Sequence, residues 1–392
     1  MQSATSSYKN WFYPTLWKKN MTRFWPLWTG YTIILLFMLP LNLAVNYRWD
    51  DGAAGLARGY HRFSQLDVLR YAEEAGILLT LMLSILAVMA VFSYLYQGKS
   101  VDLLHSLPVR RSGLFLTNYL SGLSFLILPA GAVYLITLVV EAAHGCLAVR
   151  ELSLWLACMV LYSLFFCSFA TFCAMFTGHI LALPAFYGIL NGLVAGVYVL
   201  INNVLRQFVF GLEGTTSGRI SEVVVWLTPV VRLMDDVSVR TTWGEVSGTV
   251  ENIQFEGLGT ALVYALAGLV LAGLALAIYR RRHLELAGDV VAVNWVRPIF
   301  KYGVAFCTAL AGGCLLYSWF GWNLSSSGWS LLAFMLPCGV VGYYVAQMLL
   351  KKSFQVFRNG SWKGCVVLLL CLTASVAALE LDLTGYERRV PQ

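Results

Sequence analysis

Residues 102–115 read DLLHSLPVRRSGLF, and this short polar stretch separates two long apolar runs of the sequence, 75–97 and 113–141. An α-helix needs about 20 apolar residues to cross the hydrocarbon core of a bilayer. The stretch between the two runs contains an aspartate, a histidine, a proline and two adjacent arginines. The alternation predicts two membrane-spanning helices joined by a polar segment at one membrane surface.

The composition extends this prediction to the whole chain. Hydrophobic residues make up 59% of the 392 residues and charged residues only 12%, about half of the roughly 25% charged residues in soluble domains. So few charges cannot cover a water-exposed surface, and a β-barrel would show short alternating segments instead of long apolar runs. We therefore predict an all-α, polytopic membrane protein.

Nine apolar runs predict nine spans, six in a core and three more after a basic segment at 279–298. The predicted spans are 27–46, 75–97, 113–141, 153–176, 180–204, 259–279, 299–320, 328–350 and 362–380. The long segment 206–257 contains SEVVVWLTPVVRLM (221–234), which is too short to cross a bilayer and predicts a re-entrant or surface helix. We expect the domain boundaries at 26/27, 292/293 and 380/381, with 47–73 as a polar loop.

The N-terminal region predicts a helix that lies in the membrane interface. Residues 11–25 combine Trp, Phe and Leu with Lys18, Lys19 and Arg23, and such mixtures favour the headgroup layer. Pro26 then opens the first span, because proline is well tolerated in the first turn of a helix.

The lysines predict the orientation of the chain. If the N-terminus is cytosolic, every lysine falls in or beside a cytosolic segment: Lys9, Lys18, Lys19, Lys99, Lys301, Lys351, Lys352 and Lys363. This asymmetry is typical of cytosolic loops in plasma-membrane proteins. Nine spans then make the tail 381–392 extracellular, and a further domain could follow it. The net charge of +7 is explained by contact with membrane lipids, so we expect no nucleic-acid partner.

The polar stretch after the second predicted span predicts a two-turn cytosolic helix. Ser100 can cap it, Asp102 lies favourably in its first turn, and Pro108 ends it. Its apolar face consists of three leucines: Leu103, Leu104 and Leu107. A helix this short is unstable alone, so it lies on lipid headgroups, with Arg110 and Arg111 bound to phosphate, or docks on a cytosolic partner.

The fifth predicted span combines small and polar residues. Gly188, Gly192 and Gly196 are spaced four residues apart, and such glycines let two helix backbones approach closely, within one chain or between two chains. Asn191, Asn202 and Asn203 lie on the same helix. Buried asparagines in a span need hydrogen bonds, so these side chains line a substrate path or bond across helices.

The sequence contains no pattern typical of an enzyme or a metal site. The nine cysteines lie mostly in apolar runs without a CxxC pair, and the histidines have no ligand spacing. A secondary transporter would need charges deep within the spans, and an intramembrane enzyme would need paired catalytic side chains. A membrane scaffold or sensor for a signalling partner stays open, because a docking helix serves that role equally well.

The segment LLxSLPVxR, Leu103 to Arg111, between the second and third predicted spans resembles the coupling loop of ABC-2-type transporter permeases. The basic, aromatic stretch from Trp17 to Pro26 is similar to the elbow helix of that family. Six spans with a long outer segment between the fifth and sixth also fit the family. RRRHLELAGDVV (280–291) resembles a bacterial subgroup with extra C-terminal spans, some of which continue into an extracellular domain.

This resemblance implies a permease that depends on a separate ATPase subunit. The chain has no GxxxxGK[ST] P-loop, so ATP and Mg²⁺ would bind the partner, and this chain would need no cofactor. The expected ATPase contacts are Asp102, Leu103, Leu104, Leu107, Arg110, Arg111 and Glu285; Glu285 and Asp289 can also be ordinary solvated charges. The resemblance further implies a second permease chain, as a homodimer or heterodimer, and an amphipathic or lipid-like substrate.

Overall fold

The computed structural model of the chain describes residues 11–49, 65–96, 109–143, 147–208, 218–243, 250–281, 296–320, 328–351 and 362–381. These residues are almost entirely helical. Eight of the described helices are long and apolar enough to cross a membrane. The chain is therefore a multi-pass α-helical membrane protein, as its composition predicts.

The helices are α1 Pro14–Arg23, α2 Trp25–Leu36, α3 Asn42–Trp49, α4 Glu74–Val91, α5 Arg111–Ala143, α6 Val149–Phe176, α7 Ala182–Phe208, α8 Arg219–Trp226, α9 Pro229–Asp236, α10 Leu258–Arg281, α11 Val296–Phe320, α12 Gly328–Lys351 and α13 Trp362–Glu380. A π-helical turn, Phe37–Leu41, joins α2 to α3, and a 3₁₀ turn, Ser93–Tyr96, follows α4. Two strands, β1 Ser238–Trp243 and β2 Val250–Glu256, precede α10.

Most predicted spans agree closely with the helices that form them, but the second, 75–97, does not. Its helix α4 ends at Val91 and a 3₁₀ turn follows, while the candidate span begins at Gln65. Pro26 lies in the first turn of α2, as predicted. Pro40 falls in the π-helical turn, where the wider turn accommodates a residue that lacks an N–H and clashes with the preceding turn. The apolar part of α13, Trp362–Ala378, is shorter than the other candidate spans, so a crossing by α13 stays a prediction.

The segment between α7 and α10 is more structured than the sequence predicts. The patch 221–234 forms two helices instead of one, because Pro229 opens α9 and disfavours the α region for the residue before it. An antiparallel hairpin follows, with Val239 opposite Phe255. This two-stranded hairpin is a small β element in an otherwise all-α fold.

The prediction of a polar loop at 47–73 is partly wrong, because the last residues of this segment are folded and buried. Residues 65–70 are helical, and Leu66 and Leu69 are buried. Tyr162 Oη on α6 donates to the Ala72 carbonyl at 3.1 Å. Glu73 Oε1 accepts from the backbone N–H of Val239 at 2.6 Å, which ties the hairpin to the start of α4.

The described elements belong to two compact units. The first comprises Met1–Gly188 and Pro229–Gly288, and the second comprises Ile189–Thr228 and Asp289–Gln392. In the first unit, α6 is central, because it packs on α4, α5 and α10. In the second unit, Val204 of α7 packs in one apolar core with Ala305, Leu331 and Leu372 of α11, α12 and α13.

Candidate functional site

The two arginines at the end of the predicted coupling loop lie at the beginning of α5. Arg110 and Arg111 are both exposed there. Positive charges are unfavourable at the N-terminus of a helix, so an external carboxylate or phosphate would stabilise them. The other predicted ATPase contacts lie outside the described residues: Asp102, Leu103, Leu104, Leu107 and Glu285.

A line of hydrogen bonds joins α1 to α5, and we name it the α1–α5 seam. It consists of Tyr13, Trp17 and Asn20 on the α1 side and Thr117, Asn118, Ser121 and Ser124 on the α5 side. Tyr13 N donates to Thr117 Oγ1 at 3.0 Å, and Trp17 Nε1 donates to Ser124 Oγ at 3.1 Å. The Nδ2 group of the buried Asn20 donates twice, to Asn118 Oδ1 at 2.9 Å and to Ser121 Oγ at 3.1 Å.

The direction of these bonds explains why α1 docks on this face of α5. The hydroxyls of Thr117, Ser121 and Ser124 each donate to the carbonyl four residues earlier in α5. Their oxygen lone pairs then remain available as acceptors. The α1 side supplies the matching donors, so the polar atoms in this contact are satisfied in pairs.

The seam reaches the point at which the polar stretch meets α5. The backbone N–H of Arg110 donates to Tyr13 Oη at 3.2 Å, and Phe24 packs edge-on against Phe125 at the far end of α1, with ring centroids 6.2 Å apart. The residue that precedes α5 is therefore bound directly to the residue that precedes α1.

The outward side of α1 has the character of a membrane-interface helix. Lys18, Lys19 and Arg23 are exposed, and the flanking Trp11 and Trp25 are 55% and 57% exposed. The Arg23 guanidinium lies 5.2 Å from the Phe24 ring centroid, in range of a cation–π interaction. Basic and aromatic groups on this side suit phosphate and headgroup contacts.

The sequence contains a signal for the seam within the third predicted span. Thr117, Asn118, Ser121 and Ser124 follow an i, i+1, i+4, i+7 pattern inside the apolar run 113–141, which places them on one face of a helix. A polar stripe in an apolar span indicates a helix partner that supplies hydrogen-bonding groups.

The three glycines of α7 lie on an open face of the chain. Gly188, Gly192 and Gly196 are exposed, and a Cβ atom built on any of them would have no described atom within 4 Å. Packing of this stripe against another described helix of the same chain is therefore not observed. The face stays available to a second chain.

The three asparagines of α7 do not form one site. Asn191 is buried, Asn202 is partly buried and Asn203 is exposed. At 100° per residue, Asn191 and Asn202 share a face but are separated by about 16 Å along the axis. Asn203 is rotated by about 120° onto the side of the glycines.

Glu141, near the end of α5, is fully buried. Its Oε2 atom accepts from the backbone N–H of Ala148 at 3.0 Å. Ala148 is the N-cap residue of α6, and the first N–H groups of a helix have no partner within the helix. The carboxylate therefore joins α5 to α6.

Within the described ranges, no group of three or more His, Cys, Asp or Glu side chains could hold a metal ion.

Comparison with protein-family models, with curated proteins and with solved structures finds no match. The fold defines the class of protein, a multi-pass α-helical membrane protein in which the short helix α1 is hydrogen-bonded to α5.

Proposed function

We propose that this chain is the permease subunit of an ABC-2-type ATP-binding cassette transporter. It moves an amphipathic or lipid-like substrate, such as a peptide, an antibiotic or an envelope component, across the plasma membrane. A separate subunit hydrolyses the ATP. The observation that carries the proposal is the α1–α5 seam, because it binds an elbow-like helix to α5 next to Arg110, one of the predicted ATPase contacts.

The length of α5 supports a role in transmitting force. Its 33 residues extend for about 50 Å at 1.5 Å per residue, which is longer than the roughly 30 Å hydrocarbon core of a bilayer. It begins at Arg111, which is itself one of the predicted ATPase contacts. Pro129 lies inside α5 and removes a helix hydrogen bond there, but every α5 residue of the α1–α5 seam precedes it. A push on the polar stretch would therefore move this first part of α5 with α1 attached.

The open glycine face of α7 supports a second permease chain as partner. Close helix packing in a membrane relies on small residues that let backbones approach, and Gly188, Gly192 and Gly196 provide such a surface. Asn203 lies on the same side of α7, so we assign it to this interface. Asn191 and Asn202 stay candidates for the substrate path.

Gly192→Leu is expected to separate the two permease chains. The leucine side chain would hold the two α7 backbones apart, and the dimer fraction in lipid nanodiscs should fall about tenfold or more, equivalent to about 1.4 kcal/mol. Photobleaching of single labelled complexes counts the chains. Gly273→Leu is the matched control, because Gly273 is also exposed in a span with open space around it. Equal dimer fractions in the two variants would contradict the assignment.

Purification from native membranes in mild detergent tests the proposed function directly. The expected result is a cytosolic P-loop ATPase, recovered in an amount comparable to the chain and identified by mass spectrometry. Recovery of a partner without a P-loop would instead favour a scaffold or sensor. Recovery of the chain alone, under conditions that preserve other membrane complexes, would favour a secondary transporter and would overturn the proposal.

A further inference from the structure

The polar stretch between α4 and α5 is held on both sides by contacts with other helices. On the α4 side, a 3₁₀ turn, Ser93–Tyr96, follows the helix, and Phe92 and Tyr94 are buried there. On the α5 side, the backbone N–H of Arg110 is bound to Tyr13. A displacement of the stretch must therefore also displace the groups that hold its two ends.

Four aromatic rings join the two ends of the stretch to the end of α10, and we name them the four-ring cluster: Phe92, Tyr94, Phe115 and Tyr279. The ring centroids of Phe92 and Phe115 are 5.7 Å apart, and those of Phe115 and Tyr279 are 5.4 Å apart. The hydroxyls of Tyr94 and Tyr279 share a hydrogen bond of 3.1 Å. All four side chains are buried. Aromatic pairs stabilise a contact beyond the area that they bury, so the cluster attaches α10 firmly to α4 and α5.

The opposite end of α10 is attached to α9. Thr260 Oγ1 donates to Asp236 Oδ2 at 2.6 Å, and Arg232 Nε lies 2.9 Å from the same carboxylate oxygen. Gly257, directly before α10, has a φ of +97°, and a Cβ atom there would lie 2.7 Å from Val237 Cα. Glycine adopts this conformation without steric cost, so the chain between the hairpin and α10 passes close to the end of α9.

Both α4 and α10 therefore extend from the four-ring cluster to α9 and the hairpin. At the beginning of α4, the Glu73 carboxylate accepts from the Val239 N–H of β1 at 2.6 Å. The 24 residues of α10 extend for about 36 Å and include no proline that would interrupt the helix. Between its ends α10 rests on α6, where a Cβ atom on Gly268 would lie 2.9 Å from Phe165 Cα. This support limits bending of α10, so a displacement at one end reaches the other.

We propose that α4 and α10 couple the polar stretch to α9 and the hairpin across the membrane, with Tyr279 and Thr260 as positioning residues at the two ends of α10. A displacement of the stretch moves the four-ring cluster, and the two helices carry it to Asp236 and Val239. In the proposed transporter, the ATPase would act in this way on the predicted extracellular segment. That use rests on the proposed function, whereas the coupling itself requires only the fold.

Hydrogen–deuterium exchange of the full chain in lipid nanodiscs, without a partner, tests the coupling. Tyr279→Phe keeps the ring but removes the bond to Tyr94. It should accelerate exchange at Ser93–Tyr96 and also, by about twofold or more, in α9 and the hairpin. Tyr94→Phe should have the same effect, because it removes the same bond. Thr260→Val should accelerate exchange at Ser93–Tyr96 by the factor seen in the opposite direction, since coupling between two sites is reciprocal.

Tyr119→Phe is the matched control, because its hydroxyl is bonded to Ser168 Oγ at 2.7 Å and joins α5 to α6 instead of α10. It should leave the exchange of α9 and the hairpin unchanged. Acceleration by Tyr279→Phe that is confined to the four-ring cluster would overturn the coupling. Equal acceleration of α9 by Tyr119→Phe would indicate general loosening and would overturn it too. Because no ATPase is present, either result leaves the transporter proposal to its own test.

Discussion

Replacing both Leu103 and Leu107 by aspartate is expected to abolish binding of the ATPase while leaving the spans inserted. In the proposed complex these leucines are buried in a groove of the partner, and each contributes about 1.5–3 kcal/mol of apolar burial. Two charged replacements should therefore weaken binding at least about a hundredfold. The measurement is the ratio of ATPase to permease after purification, together with substrate-stimulated ATP hydrolysis.

His105→Asp is the matched control for this double substitution. In the predicted helix, residue 105 lies opposite the leucine face, so its aspartate should remain in water and the partner should still copurify. If the double variant keeps its ATPase in normal amounts and transports normally, then residues 102–111 are a lipid-facing connector rather than a coupling helix.

The spans could be predicted closely, and the reason is physical. In hydrocarbon, every backbone N–H and C=O must be satisfied within the segment, so a long apolar run has almost no alternative to a helix. The predicted span 153–176 is thus found as Val149–Phe176, and 328–350 as Gly328–Lys351. Pro26 fixes where the first of them begins.

The contacts that form the candidate site could not be predicted in the same way, because they depend on pairs of residues distant in sequence. Asn20 lies between basic residues and resembles the solvated side of an interface helix, yet it is buried against Asn118. Glu141 resembles an interfacial charge, yet it accepts from Ala148. A polar residue indicates that it needs a partner, but its own sequence position does not specify whether water or another helix provides it.

These hydrogen bonds attach α5 to both α1 and α6. At its beginning, the N–H of Arg110 is bound to Tyr13, and near its end Glu141 is bound to the start of α6. Both contacts are hydrogen bonds between buried or partly buried groups, which are costly to leave unsatisfied. A displacement of the polar stretch should therefore reach α1 and α6 together.

Asn20→Leu is expected to release α1 from α5. The leucine has a similar size but no donor, so it removes two hydrogen bonds and leaves Asn118 Oδ1 without that partner. An unsatisfied buried acceptor costs about 1–3 kcal/mol, which corresponds to roughly a 5- to 150-fold larger undocked population. Hydrogen–deuterium exchange of the α1 amides should accelerate by a similar factor. In the proposed transporter, substrate-stimulated ATP hydrolysis should fall while the ATPase stays bound.

Two further variants separate the seam from a general effect on α1. Thr22→Val should behave like the unmodified chain, because Thr22 is exposed on the same helix and its hydroxyl donates only to carbonyls of that helix. The double variant Asn20→Leu/Asn118→Leu should recover much of the protection, because it removes the Asn118 acceptor together with its donor. Ser121 Oγ loses the bond from Asn20 in both variants but still donates to the Thr117 carbonyl. If the double variant exchanges as fast as Asn20→Leu alone, the bond between Asn20 and Asn118 does not hold α1 on α5, and the transmission route that we assign to it is wrong.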